Sequence, residues 1–294
     1  MPGDLIDGKK IADDVRSELK GRIAELATRG TVPGLAAILV GEDPASRLYV
    51  KMKGKASEEM GLAHWTVELP ADASERRLLD EIDRLNADPK VHGILVQQPL
   101  PPQIGVDAAV SSVDPDKDVD CFHPTNVGLV LIGRPRFAPA TPAGVVELLL
   151  RSGNSPDRKD VVILGRSNIV GKPLAALLMQ KARGANATVT VAHSATRELA
   201  AHTRRADILV AAMGSPRFVT ADMVRDGVVV IDVGINRIPD PKAKSGSRTV
   251  GDVDFDAVRR KAKAISPVPG GVGPMTIAML LSNTVRAAEM ATPS

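Results

Sequence analysis

The feature that most limits how this chain can fold is a regular alternation of short apolar segments with helical segments. Short apolar runs bounded by turn residues are typical of buried strands, and strands that alternate with helices indicate a parallel sheet. The predicted strands are GLAAILVG (34–41), AHWTVEL (63–69), VHGILVQ (91–97), the start of DVVILGRSNIVGKPLAALL (160–178), TVTVAHS (188–194), ADILVAA (206–212) and GVVVIDVGIN (227–236). The sequence therefore predicts an α/β fold with largely parallel sheets.

Helices are predicted between these strands from apolar spacing and from capping residues. They cover residues 8–28, the segment opened by Asp43 and Pro44, the segment from Ser74 to about Leu85, the segment opened by Thr141 and Pro142, the segment begun by Pro173, and Met275 to about Met290. The length suggests about two domains. We predict domains at 1–140 and 141–274, with 275–294 as a C-terminal helix, and a mobile surface loop at 242–248.

Composition and charge exclude several classes of protein. The net charge is only +3 and basic residues are interleaved with acidic ones, so nucleic acid is not an expected partner. Cys121 is the only cysteine, so no intramolecular disulfide can form. The first residues lack the apolar core of a signal peptide, and no apolar run approaches the ~20 residues of a membrane span. We expect a soluble, cytoplasmic protein that binds neither nucleic acid nor membrane.

The segment VVILGRSNIVG resembles a dinucleotide-binding turn with Gly165 and Gly171 but without the usual middle glycine. Two glycines alone are weak evidence, but a buried strand before them and a helix after them strengthen the interpretation. An NAD site has an acid at the end of the second strand, whereas this strand ends in His193 and Ser194. Because Arg166 also offers a guanidinium to a phosphate, the sequence predicts NADP. The alternative for Arg166 is a solvated loop arginine.

A second candidate site lies in the first half of the chain. Tyr49 is the only tyrosine, and it stands four residues before Lys53 on a predicted helix, so both side chains share one face. Gln97, Asp118 and Asp120 follow near one predicted sheet edge. The alternative is a surface helix whose lysines are solvated, with Tyr49 at the edge of the core and the aspartates acting as turn formers.

Nine segments, in order along nearly the whole chain, resemble motifs of the bifunctional methylenetetrahydrofolate dehydrogenase/methenyltetrahydrofolate cyclohydrolase family. They are SRLYVKMKGKASEEMGL, GILVQQPLP, DKDVDCFHPTNVG, ATPAGVVELL, ILGRSNIVGKP, TVTVAHSAT, VIDVGIN, GDVDF and SPVPGGVGPMTIAML. The resemblance implies an N-terminal α/β catalytic domain, a Rossmann-type NADP-binding domain, folate in the cleft between them, a final helix packed on the first domain, and a homodimer. It implies an enzyme that oxidises 5,10-methylenetetrahydrofolate to 5,10-methenyltetrahydrofolate with NADP and hydrolyses the product to 10-formyltetrahydrofolate.

The same resemblance assigns site residues. It makes Lys53 the general acid/base, places Tyr49 against the aromatic ring of folate, lets Gln97 support the lysine and lets Asp120 hold the pterin. It implies that NADP is bound by Gly165, Arg166, Ser167, Ser194 and Ile235, and that Pro269, Gly270 and Gly271 also bind substrate. No metal is expected. Two positions depart from the family pattern: Cys121 replaces the usual glycine after KDVD, and Ala140 replaces a common cysteine.

Two other classes of protein are weighed against this interpretation. A Tyr-x-x-x-Lys pattern also marks short-chain dehydrogenases, but there it follows the nucleotide-binding turn within one domain, and here it precedes that turn. A catalytically silent NADP-binding module that senses redox state is the other alternative. The presence of Lys53, Gln97 and Asp120 together disfavours this module. An absorbance assay with methylenetetrahydrofolate and NADP would decide between the silent module and the folate enzyme.

Overall fold

The computed structural model describes residues 2–243 and 246–292. In these residues the strands are β1 (Asp4–Leu5), β2 (Gly34–Val40), β3 (Ala63–Leu69), β4 (Gly93–Val96), β5 (Asp160–Leu164), β6 (Thr188–Ala192), β7 (Ile208–Ala211), β8 (Val229–Asp232), β9 (Asn236–Pro239), β10 (Ser247–Val250) and β11 (Ala264–Ile265). The helices are α1 (Gly8–Thr28), α2 (Pro44–Glu59), α3 (Glu75–Ala87), α4 (Val106–Ser112), α5 (Pro124–Leu131), α6 (Ala140–Arg151), α7 (Gly171–Leu178), α8 (Leu199–Thr203), α9 (Phe255–Arg259) and α10 (Val272–Ala291).

The described chain divides into two compact units. The three-stranded unit comprises Asp14–Ala140 and the part of α10 from Ile277 onward. The six-stranded unit comprises Thr141–Thr276 and the described residues up to Asp13. The sequence grouped these first residues with the first domain, but β1 pairs in parallel with β11 and therefore belongs to the second sheet.

The three-stranded unit is built around a parallel sheet in the order β3-β2-β4. All seven residues of the central strand β2 are buried, as its uninterrupted apolar sequence predicts. Each large aliphatic side chain buried there contributes about 1.5–3 kcal/mol. The expected return of the C-terminal helix is confirmed, because Asn283 on α10 donates to the carbonyls of Val119 and Ala138, both at 2.8 Å.

The six-stranded unit has the parallel order β1-β11-β8-β7-β5-β6. The chain runs from β5 to β6 on one side and then crosses to β7 on the other side of β5. This reversal of direction is the topological switch point at which doubly wound sheets bind ligands, beyond the carboxyl ends of their strands. The dinucleotide-like turn follows β5 at this edge.

The strands and helices predicted from apolar runs and caps are present, and the α/β fold with parallel sheets is confirmed. The short strands β1 and β11 and the antiparallel hairpin of β9 and β10 were not predicted. The surface loop expected at 242–248 includes Lys244 and Ser245, which lie outside the described residues, and its last residues belong to β10. Residues 293–294 of the expected C-terminal helix also lie outside them. No helix among the described residues has the length and apolar character needed to span a membrane.

Candidate active site and cofactor-binding edge

Helix α2 places Lys53 in the interior of the three-stranded unit. Its start is fixed by Asp43, whose carboxylate accepts the Ser46 amide at 2.8 Å, and by Pro44 in the first turn, as predicted. Lys53 is only 9% exposed, whereas Lys51 and Lys55 on either side of it are exposed. The alternative in which all three lysines are solvated is therefore wrong for Lys53.

The buried amine of Lys53 is held by the end of β4. Its Nζ donates to Oε1 of Gln97 at 3.1 Å, and Nε2 of Gln97 donates to the carbonyl of Gln98 at 2.7 Å. The second bond fixes which end of the Gln97 amide faces the lysine, because a carbonyl can only accept. Tyr49, one helical turn before Lys53, is half-buried. The structure thus brings Lys53 and Gln97 together.

Asp120 reaches the same place on a loop that runs beside β4. A parallel bridge pairs Ile94 with Asp118, so the chain passes along the strand toward its carboxyl end. Asp118 is buried and accepts the amides of Phe122 and His123 at 3.1 and 2.8 Å, and Nδ2 of Asn126 at 2.8 Å. These bonds close a tight turn that contains Asp120 and leave Asp118 fully engaged in the loop.

Burial acts in opposite directions on the two charges of this site. Desolvation lowers the pKa of the Lys53 ammonium, and the negative charge of Asp120 partly opposes this. Desolvation raises the pKa of Asp120 to about 6; the charge of Lys53 lowers it and the charge of Asp118 raises it. Lys53 is therefore easier to deprotonate than an ordinary lysine, which is what a general base requires.

Cys121, one of the two departures from the family pattern, lies directly after Asp120. Its φ of 61° is in the left-handed region that glycine adopts without strain, which explains why glycine is usual there. The thiol is fully buried, and Sγ lies 3.2 Å from the carbonyl of Phe137. Burial raises the pKa of Cys121, so the thiol is held protonated and unreactive. The second departure, Ala140, is the first residue of α6 and is buried.

In the six-stranded unit the turn after β5 has the close approach expected of a dinucleotide site. Gly165 has φ 124°, and a Cβ there would collide with the carbonyl oxygen of Ala212. Ser167 lies in the turn, and its Oγ accepts the amides of Val170 and Gly171 at 3.1 and 3.4 Å. Ser167 therefore supplies an internal acceptor for the amides of Val170 and Gly171 at the start of α7.

The other predicted NADP residues lie at the same edge of the sheet. Arg166 follows β5, Ser194 follows β6 and Ile235 follows β8, and all three are exposed. Pro269, Gly270 and Gly271 follow β11 and belong to the six-stranded unit. The end of β6 carries no carboxylate, and Arg166 supplies a positive charge near it in the fold, so the residues present fit NADP.

A doubly wound nucleotide-binding unit, joined in one chain to a smaller α/β unit with a buried amine, defines a nucleotide-dependent enzyme. A model of the tetrahydrofolate dehydrogenase/cyclohydrolase catalytic domain matches residues 6–120, and a model of the NAD(P)-binding domain of the same proteins matches residues 139–292. The chain belongs to the tetrahydrofolate dehydrogenase/cyclohydrolase family. It is a bifunctional enzyme with both activities, it acts on folate one-carbon derivatives, and its cofactor is NADP.

Individual relatives resemble the chain over nearly its whole length. It is 55% identical to the bifunctional protein FolD of Chlorobium luteolum over 290 residues, 98% of each chain. The solved FolD structure from Campylobacter jejuni is 47% identical with a TM-score of 0.91, covering 97% of this chain and 98% of that one. The Trypanosoma brucei FolD, solved with NADP cofactor and inhibitor, is 42% identical with a TM-score of 0.95 and full coverage of both chains. The family predicted from the motifs is confirmed.

Several residues that shape these sites carried no assignment from the sequence. Asn126 and Arg136 are examples: Nδ2 of Asn126 donates to Asp118, and its Oδ1 accepts from Arg136 at 2.9 Å. Asp252 was present in the GDVDF motif but had no role. The only signal in the sequence was Gly251 beside Asp252, and this pattern does not distinguish a turn residue from a buried carboxylate that holds a loop. Among the described residues, no group of three or more His, Cys, Asp or Glu side chains is arranged to hold a metal.

Proposed function

We propose that Lys53 is the proton-transfer group of this bifunctional enzyme. The enzyme oxidises 5,10-methylenetetrahydrofolate to 5,10-methenyltetrahydrofolate with NADP and hydrolyses that product to 10-formyltetrahydrofolate. The observation that carries the proposal is the buried Lys53 amine, which is bonded to Gln97 and whose pKa is lowered by desolvation. A surface lysine would stay charged and could not accept a proton near neutral pH.

The two reactions make different demands on Lys53. Bound NADP⁺ would supply the hydride acceptor for the methylene carbon. The dehydrogenase reaction then needs no proton transfer at this carbon, and positioning of the folate by the protein would supply most of the acceleration. Hydrolysis requires water to add to the methenyl carbon and lose a proton, and ring opening then requires a proton at the departing nitrogen. One amine that accepts and returns a proton serves both steps, which is typically worth about 10²–10⁴-fold.

The remaining residues of the three-stranded unit have binding roles in this proposal. Tyr49 offers a flat face for an aromatic ring of the folate. Gln97 keeps the Lys53 amine in place through its Oε1. Asp120 holds the pterin, and its charge opposes complete loss of the proton from Lys53. The three-stranded unit, Asp14–Ala140 with α10 from Ile277 onward, is assigned to folate, and the six-stranded unit to NADP.

NADP is proposed to bind at the edge of the six-stranded sheet. Arg166 contacts the extra phosphate. Because Gly165 has no Cβ, the turn after β5 can lie directly against the carbonyl oxygen of Ala212. Ser167 orders the turn, while Ser194 and Ile235 line the ends of β6 and β8. On the basis of the family resemblance, Pro269, Gly270 and Gly271 are proposed to contact folate.

A homodimer and a cytoplasmic location are also proposed. The support for the dimer is the family resemblance. The support for the cytoplasm is the same resemblance together with the single cysteine, which needs no oxidising compartment.

The proposal is tested with Lys53→Met, which keeps the length of the side chain and removes its nitrogen. The matched control is Lys51→Met, because Lys51 is an exposed lysine of the same helix. We expect Lys53→Met to lose at least about a hundredfold of the cyclohydrolase rate and to keep more of the dehydrogenase rate, while Lys51→Met keeps both. If Lys53→Met hydrolyses methenyltetrahydrofolate at the rate of the unchanged enzyme, Lys53 is not the proton-transfer group.

A further inference from the structure

A buried carboxylate in the six-stranded unit holds a loop at the cofactor edge. Asp252 is fully buried and accepts four hydrogen bonds. Its Oδ2 accepts the amides of Met213 and Gly214 at 2.6 and 2.9 Å. Its Oδ1 accepts the amide of Ser215 at 2.9 Å and Nδ2 of Asn236 at 2.8 Å. Three successive amides directed at one anion form a nest, so the shape of this loop depends on one side chain.

A second buried aspartate holds Asp252 itself. Asp232, the last residue of β8, accepts the amide of Asp252 at 2.9 Å and the amide of Val253 at 3.0 Å. Its Oδ1 also accepts the amide of Gly234 at 3.0 Å. A Cβ at Gly251 would collide with the Asp232 carboxylate, so the backbone of this segment lies directly against it. The loops after β7 and β8 are therefore joined through two aspartates.

These loops border the switch point of the sheet. The Met213–Ser215 loop follows β7, and β7 lies beside β5. Gly165, in the turn after β5, comes so close to Ala212 that no side chain fits between them. Asn236, the side-chain partner of Asp252, directly follows Ile235. The residues anchored by Asp252 thus lie next to those assigned to NADP.

We propose that Asp252 is a positioning residue for NADP, acting through the Met213–Ser215 loop and Asn236. This rests on the proposed NADP site at the same edge. An amide could not replace the carboxylate, because its oxygen accepts on one side only and its NH₂ group would face backbone donors on the other. The loop amides are occupied by Asp252, so the loop forms a wall of the cofactor site and does not supply phosphate donors.

The test compares Asp252→Asn with Asp207→Asn. Asp207 precedes β7 at the opposite end of the same strand, where its carboxylate accepts the Asp160 amide at 2.9 Å and pairs with Arg225. We expect Asp252→Asn to weaken NADP binding at least about tenfold in calorimetric titrations, as loss of two or more hydrogen bonds at a buried site implies. Asp207→Asn should leave the NADP dissociation constant within about twofold.

Cyclohydrolase activity on methenyltetrahydrofolate separates positioning from general damage, because this reaction consumes no NADP. We expect Asp252→Asn to retain the cyclohydrolase rate within about twofold, and its dehydrogenase rate to recover within about threefold at saturating NADP. Unchanged NADP binding in Asp252→Asn, or an equal loss in Asp207→Asn, would overturn the inference. If the unchanged enzyme binds no NADP, the proposed cofactor site fails instead.

A milder variant covers the case in which Asp252→Asn does not fold. Asn236→Ala removes one of the four donors to Asp252 and leaves the three backbone amides in place. We expect it to weaken NADP binding by about three- to tenfold with no change in the Michaelis constant for methylenetetrahydrofolate. Unchanged NADP affinity in Asn236→Ala would then overturn the inference.

Discussion

At the scale of single residues, Lys53 and Asp120 are two interacting charges that burial disfavours. Burial moves the pKa of each toward its neutral form, while each charge favours the charged form of the other. Removing two charges from water is costly, so this arrangement is not evidence that the two charges stabilise the fold. Under the proposed function, the two charges are retained at this place because the reaction needs a proton-transfer group.

The raised pKa of Asp120 predicts how the free energy of unfolding changes with pH. The folded pKa of about 6 lies above the unfolded pKa of about 4, so the folded state binds the proton more tightly and loses stability as pH rises through about 6. Asp120→Asn should therefore be more stable than the unchanged protein by about 1–3 kcal/mol at about pH 8, and the difference should shrink by about pH 4. Urea unfolding at both pH values measures it; a difference that grows toward acid would contradict the burial argument.

Arg166 carries the prediction for cofactor choice. Arg166→Ala should weaken NADP binding by about 1.5–3 kcal/mol, roughly ten- to a hundredfold, because it removes a charge-assisted contact to the extra phosphate. NAD lacks that phosphate, so its binding should barely change. Parallel titrations with both cofactors make the measurement. Equal losses would mean that Arg166 supports the turn and does not recognise the phosphate.

At the scale of elements, the close contact between α2 and β3 determines how deeply Lys53 is buried. Gly54, the residue after Lys53, lies against the ring of His64 on β3, and a Cβ at Gly54 would be 2.7 Å from Cε1 of that ring. Only a residue without a side chain lets the helix approach the sheet this closely. The depth of Lys53 therefore depends on its neighbour.

The contact between Gly54 and His64 predicts whether a Gly→Ala substitution stabilises or destabilises the protein. In an exposed helix, Gly→Ala stabilises by up to about 1 kcal/mol, and Gly21→Ala in α1 should do so because nothing lies within 4 Å of its Cβ position. Gly54→Ala should instead destabilise, by about 1–3 kcal/mol, and should lower cyclohydrolase activity by moving Lys53. Thermal unfolding of both variants decides the matter. A stabilised Gly54→Ala would show that His64 moves aside at little cost.

The sequence predicted those elements whose signal is local. An unbroken apolar run sufficed for β2, and Asp43 with Pro44 sufficed for the start of α2. Two-residue strands such as β1 and β11 have no such signal, because their pairing depends on distant backbone. The burial of Lys53 had no local signal either, since helical spacing does not reveal that Gly54 lets α2 pack closely against His64. The anchoring role of Asp252 depends on amides far along the chain, and no spacing rule identifies them.

At the scale of the whole molecule, the assembly is the outstanding prediction. We expect a homodimer, so light scattering at micromolar concentration should give twice the 31.0 kDa mass of one chain. Dilution toward nanomolar concentration serves as the control, because a dimer must dissociate at some concentration while a monomer keeps one mass. A mass of one chain throughout would contradict the proposed dimer.

The pairing of β1 with β11 also bears on how the protein is made. Asp4 pairs with Ala264, so roughly 260 residues must be synthesised after β1 before its partner exists, which takes about ten seconds to a minute at typical rates. Contacts between such distant residues form late, because closing so long a loop costs chain entropy before the contacts can stabilise the fold. Until β11 has been synthesised, β8 is an open edge of the nascent sheet, and β1 has no strand to pair with.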